Sequence, residues 1–154
     1  MSIRYWLMKS EPGCYSIDDL KRDKKTAWTG VRNYQARNFM RDDMKVGDMV
    51  LFYHSNSDPA GVAGVAKVCA TAHEDETAWD HNDDHYDPKS TPANPIWVNV
   101  DIAFVEKLPQ FVSLPEMKAE PELRGMMVLQ KGSRLSIQPV TAPQFKWVLR
   151  MGGI

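Results

Sequence analysis

An α+β fold is predicted by this sequence: a small, curved, partly closed barrel with short helices around its rim. Strand-like segments are dispersed among short helical ones without a regular βα alternation, which argues against a doubly wound sheet. Met49 to Tyr53 is a continuous apolar run, the mark of a strand buried on both faces. Ile96, Val98, Val100, Ile102 and Phe104 alternate on one face of a further, long strand.

In chain order, Ile3 to Met8 is branched and aromatic, hence a first strand, broken at Ser10-Glu11-Pro12-Gly13. Ser16, followed by Asp18 and Asp19, caps a short helix running to about Lys24. Asn33 to Arg41 is a second helix, with Tyr34, Phe39 and Met40 available for packing. Val46-Gly47-Asp48 turns the chain into the Met49–Tyr53 strand, and Asn56-Ser57-Asp58-Pro59 is loop chemistry. Gly61 to Ala72 returns as a strand of small residues, completing an antiparallel hairpin. Gly64 within it marks a bulge or a close approach. His73 to Asn94 is polar, acidic and loop-like. Ser113 to Met127 is helical in parts, interrupted by Pro115 and Pro121. Leu135 to Gln138 is a short strand stopped by Pro139; Thr141 caps a final helix with Pro143 in its first turn, ended by Gly152.

The 154 residues suffice for one domain with a real core. No run of about 18 apolar residues is present, so no membrane span is expected. Without an export signal, Cys14 and Cys69 are expected as reduced thiols in a cytoplasmic or nuclear protein. A net charge of −1 argues against coating nucleic acid by bulk electrostatics. Its distribution is uneven: +3 over residues 1–68, −8 over 69–106 and +4 over 107–154. Two mildly basic flanks meeting in the fold would give one positive face, with the acidic insert pointing elsewhere.

Trp28 to Asn38, W-T-G-V-R-N-Y-Q-A-R-N, is the most informative stretch. Only Val31 and Ala36 are aliphatic among one Trp, one Tyr, two Arg, two Asn and one Gln. Flat π faces beside amide donors and acceptors suit a planar polar ligand such as a nucleobase. The alternative is a solvated turn with Trp28 and Tyr34 packed inward. Three further segments share this character: Tyr5 to Pro12, Phe52 to Asn56, and Gln130 to Ser136 with its two cations and two hydroxyls. Together they point to one pocket at strand ends. His73, His81 and His85 with their neighbouring aspartates lack zinc-motif spacing and a supporting helix, so they read as a solvated loop rather than a metal site.

The strings Y-W-L-M-K-S-E-P, W-T-G-V-R-N-Y-Q-A-R-N-F-M, G-D-M-V-L-F-Y-H-S-N, G-V-A-G-V-A-K-V, Y-D-P-K-S and G-S-R-L-S-I-Q-P-V closely resemble the EVE domain family. That family belongs to the PUA-like superfamily alongside the YTH domains. The resemblance runs from Tyr5 to Trp147 and implies a single PUA-like domain over residues 1–154, a bent mixed β-barrel surrounded by short helices. The implied activity is non-catalytic binding of a modified base, chiefly methylated or oxidised cytosine in DNA. No cofactor, metal or catalytic residue is expected.

For such a pocket the residues divide by chemistry. Trp28 is the expected stacking platform, with Trp6 or Tyr53 as an opposing wall. Asn33 and Ser10 would read the base edge, and Lys9, Arg32 and Arg134 would meet phosphates or an exocyclic oxygen. Val31 and Leu135 would line an apolar niche, with His54 and Ser136 completing the site. For Trp6 and Tyr53 core packing is the alternative; for Arg134, an exposed surface cation. Replacing Trp28 with Ala is expected to remove binding and spare the fold. A monomer binding modified DNA is expected ahead of an RNA-binding module of the YTH type. An enzyme acting on a nucleotide-like small molecule ranks third, because no Cys–His pairing, Gly-rich phosphate loop, G-x-S-x-G or H-E-x-x-H motif occurs.

Overall fold

The structure is a computed structural model and describes residues 3–132 and 134–154. Six strands form one mixed sheet: β1 (Tyr5–Ser10), β2 (Lys25–Ala27), β3 (Met49–His54), β4 (Gly61–Glu74), β5 (Val98–Ser113) and β6 (Ile137–Val140). Their spatial order is β2-β5-β4-β3-β1-β6, which places β2 and β6 at the two edges. β1 lies parallel to β3 and antiparallel to β6, and the remaining pairs are antiparallel. Helices α1 (Ile17–Asp23), α2 (Tyr34–Asn38), α3 (Leu114–Lys118) and α4 (Ala142–Met151) flank the sheet.

β3 shows why its sequence is apolar throughout. Val50 and Phe52 enter one apolar cluster with Trp6, Met8, Trp28 and Ile102. Leu51 and Tyr53 enter a second with Leu7, Val112 and Val148. Successive side chains point to opposite faces of a strand, so both faces of β3 are covered. Ile17 and Leu20 of α1 join the first cluster, while Phe145 and Val148 of α4 join the second. Each such buried side chain contributes about 1.5–3 kcal/mol.

The sheet bends through β4 and β5, whose pairing shifts register between Val62 and Gly64, Val65 and Ala66, and again beyond Val68. Bulges of this kind kink a strand and increase its twist. Gly64 marks the close approach expected of it. A Cβ there would lie 2.5 Å from Ile17 Cγ1 and 2.8 Å from the Glu106 carbonyl, so glycine is what lets α1 seat against the sheet.

Several boundaries differ from the sequence expectation. β2 is a polar edge strand with no apolar alternation to announce it. β5 continues to Ser113 through Pro109, which falls in a gap of the β4–β5 register and so removes no ladder hydrogen bond. β6 includes Pro139, tolerated because β6 has a neighbour on one side only. The second helix is a five-residue α-helix that widens into a π turn over Phe39–Asp43, burying Met40. Capping boxes close the starts of α1 (Ser16 with Asp19), α3 (Ser113 with Glu116) and α4 (Thr141 with Gln144). Among the described residues no helix is long and apolar enough to cross a membrane.

Candidate functional site

The parallel pairing of β1 and β3 sets Ser10 opposite His54, so the K-S-E-P and Y-H-S-N segments leave the sheet at the same end. The Ser55 N–H donates to the Ser10 carbonyl at 3.0 Å, and the Lys9 N–H donates to the Ser136 carbonyl at 2.9 Å. The Trp28 N–H donates to the Val100 carbonyl at 2.8 Å, anchoring the segment that follows β2. These contacts gather four distant segments around a cavity of about 930 Å³. That size falls in the range of small-ligand sites.

Trp28 forms part of the cavity wall, the residue as a whole 8% exposed. Its other surroundings are core, including an edge-to-face contact with Phe52 at 5.6 Å between centroids. Val31 lines the cavity beside it. Gly30 adopts φ +83°, a left-handed conformation suited to glycine, and its N–H donates to the Asp75 carboxylate at 2.8 Å. The His85 ring fills the space where a Gly30 Cβ would project, with Nε2 at 2.6 Å from that position. Lys9, Ser10, Arg134 and Ser136 complete the expected set at the cavity, Arg134 from an exposed position.

Arg32 also lines the cavity, but four of its five guanidinium N–H groups are engaged within the protein. Nη1 donates to Asp75 at 3.1 Å and to the Val31 carbonyl at 2.9 Å, Nε donates to the His85 carbonyl at 2.9 Å, and Nη2 to Thr77 at 3.1 Å. Its plane lies over the Trp97 ring at 5.4 Å. Arg32 is thus a brace for the wall, rather than a hand for phosphates. Burial alone would push the Asp75 carboxyl upward; hydrogen bonds from Thr77, the Gly30 N–H and Arg32 outweigh it and hold the group below its ordinary range. This corrects the expectation that the acidic insert points away, since Asp75 and His85 of that insert build the wall.

Five expected residues lie elsewhere. Trp6 is buried in the first cluster and its Nε1–H donates to Asp48 at 3.0 Å. Tyr53 faces the second cluster, because strand parity sets it opposite Phe52; the Lys9 ammonium lies 5.9 Å from its ring centre. Asn33 caps α2, accepting the Ala36 N–H at 3.0 Å. His54 accepts the Ile17 N–H on Nε2 at 3.2 Å, and burial lowers its pKa. Leu135 packs against the first cluster. Ser133 of the expected basic loop lies outside the described residues.

Sequence reasoning missed Tyr15, Thr26 and His85 as lining residues. His85 sat in a segment read as solvated, and its Nδ1 does contact Asp83 at 2.9 Å. His81 stacks on Tyr86 and His73 lies beside Asp101, so the three histidines serve separate local contacts. Burial lowers the Lys9 pKa, as it would for any cation partly withdrawn from water.

A bent mixed sheet with its cavity at the ends of two parallel strands defines a PUA-like fold. A YTH domain from Zygosaccharomyces rouxii shares it, with a TM-score of 0.57 over 99% of this chain and 85% of that one at 16% identity. More narrowly, the chain belongs to the EVE domain family, whose family model matches residues 4–151. Human thymocyte nuclear protein 1 is 43% identical over 165 aligned positions, spanning 96% of this chain and 73% of that protein. The structure of human THYN1 protein in complex with 5-methylcytosine-containing DNA superposes with a TM-score of 0.89 at 42% identity, covering 98% of each chain.

Proposed function

We propose that this chain is a non-catalytic reader that takes one modified base, methylated or oxidised cytosine in DNA, into the cavity beside Trp28. The observation that carries the reading is an indole at the wall of a nucleotide-sized cavity, in a chain so similar to one solved with methylated DNA. A base within a duplex must leave the stack to enter such a site. Contact with an aromatic ring returns about 1–3 kcal/mol of the unstacking cost. Tyr15 is a second aromatic ring at the cavity and replaces Trp6 and Tyr53 as the partner wall. Val31 supplies the apolar niche, where a methyl group is worth about 1–3 kcal/mol. Lys9 and Arg134 meet the flanking phosphates, and the protein acts as a monomer.

A binding screen tests this reading, using oligonucleotides with unmodified, methylated, hydroxymethylated or formylated cytosine and methylated adenine as contrast. Tighter binding of at least one modified cytosine in DNA is expected. Equal binding of all probes, or preference for the RNA counterparts, would overturn it.

A further inference from the structure

Glu11 is the one carboxylate among the described residues lining the cavity. A carboxylate there opposes the phosphates of any nucleic-acid ligand, so its placement calls for a counterpart on the base itself. It is also positioned. Asn56, held at φ +49°, donates from Nδ2 to Glu11 Oε1 at 2.8 Å, bridging the segments after β1 and β3. The chain at Glu11 is turned by its own carbonyl, which accepts from the Cys14 and Tyr15 N–H groups at 2.9 Å. Glu11 is exposed at the cavity wall, and its other carboxylate oxygen accepts only a long contact from the Cys14 thiol at 3.9 Å.

An ionised carboxylate only accepts hydrogen bonds. The exocyclic N4 amino group is the donor that a carboxylate accepts from cytosine. 5-Methylcytosine and thymine carry the same 5-methyl group, so no apolar niche separates them. They differ at position 4, where one offers an amino donor and the other a carbonyl acceptor. We infer that Glu11 is the specificity-determining residue of the site, accepting a hydrogen bond from the N4 amino group and rejecting thymine and uracil by facing their O4 with a second acceptor. This rests on the base-reading function proposed above.

The test uses single-stranded oligonucleotides carrying one 5-methylcytosine, cytosine, thymine or uracil in a fixed context, so that duplex extrusion costs do not differ. The wild-type protein should prefer 5-methylcytosine over thymine by about tenfold or more. Glu11→Gln can donate as well as accept, so it should bind thymine more tightly than wild type and narrow the preference to about threefold or less. Glu11→Ala should weaken 5-methylcytosine binding and relieve the repulsion of thymine, so that the two affinities converge. A Glu11→Gln protein that keeps the wild-type ratio, or loses both ligands equally, overturns the role of Glu11 while leaving the reader intact. Wild-type protein that ignores 5-methylcytosine overturns the reader, and this inference with it.

Discussion

Arg32 and Asp75 form an ion pair at 3.1 Å in which the aspartate side chain is wholly buried and the arginine side chain 22% exposed. The pair fastens the segment carrying Trp28 and Val31 to the end of β4, and the Gly30 N–H shares the same carboxylate oxygen. Removing one partner of a buried pair costs about 3–5 kcal/mol, because the other charge is left uncompensated. Asp75→Asn should therefore lower the melting temperature by about 6–20 °C. Affinity for modified DNA should fall with it, since the wall loses its anchor. Thermal unfolding by circular dichroism reads the first effect, and an unchanged midpoint would show that the pair is not structural.

Trp28 serves the cavity and the core at once, which changes the mutational test. Its edge-to-face contact with Phe52 and near-complete burial mean that Trp28→Ala costs about 3–5 kcal/mol of stability. The substitution therefore reports on binding only at temperatures where the weakened variant stays folded. Trp28→Phe keeps an aromatic face and most of the packing. It should weaken binding of a methylated oligonucleotide by about tenfold or less, against the near-complete loss expected of Trp28→Ala measured well below its own melting temperature.

The double-sided burial of β3 was legible because an unbroken apolar run has one cheap explanation, a strand covered on both faces. Trp28, Val31, Lys9, Ser10, Arg134 and Ser136 were legible as cavity residues because their segments pair π surface or cations with hydrogen-bonding groups at strand ends. Trp6 and Tyr53 belonged to the same segments but carry the wrong parity or depth: Tyr53 follows Phe52 and so faces the other layer. Asp75 was not legible. Nothing local distinguishes it within an acidic run, and its role comes from residues some 45 positions earlier in the chain. Arg32 carried the right chemistry for a phosphate contact, but four of its five donors are committed to that wall.

Gly64 offers a sharper test of packing. Any side chain there meets Ile17 and the Glu106 carbonyl, and the backbone carbonyl yields less readily than the isoleucine. Gly64→Ala should cost about 1–3 kcal/mol by displacing α1 from the sheet. Pairing it with Ile17→Val or Ile17→Ala should recover part of that loss, a non-additivity measurable in a double-mutant cycle of urea midpoints.

With a net charge of −1 and two cations, Lys9 and Arg134, proposed for phosphates, binding should depend weakly on salt. Two neutralised phosphates give a slope of log K against log salt of about −2 on duplex DNA. Arg134→Ala should reduce the slope by about 1 and weaken modified and unmodified probes alike. A wild-type slope near −10 would show that a far larger basic surface is engaged.

His54 makes the fold sensitive to mild acid. Its Nε2 must be unprotonated to accept the Ile17 N–H at the start of α1, and burial favours that neutral form, with Asp18 opposing and Lys107 assisting. The folded-state pKa therefore lies below the unfolded value near 6.5. Above about pH 6.5 both states hold a neutral imidazole and the stability is complete. As the pH falls from there through the folded-state pKa, the unfolded chain takes up the proton first and stability is lost. His54→Gln offers an amide oxygen in place of Nε2 without titrating. Urea midpoints of the wild type should decline between pH 7 and 5, and those of His54→Gln should decline less. Carboxylates such as Asp75, already held below their ordinary range near 3.8, act at lower pH and do not obscure the comparison. Equal slopes for the two proteins would place the acid sensitivity outside His54.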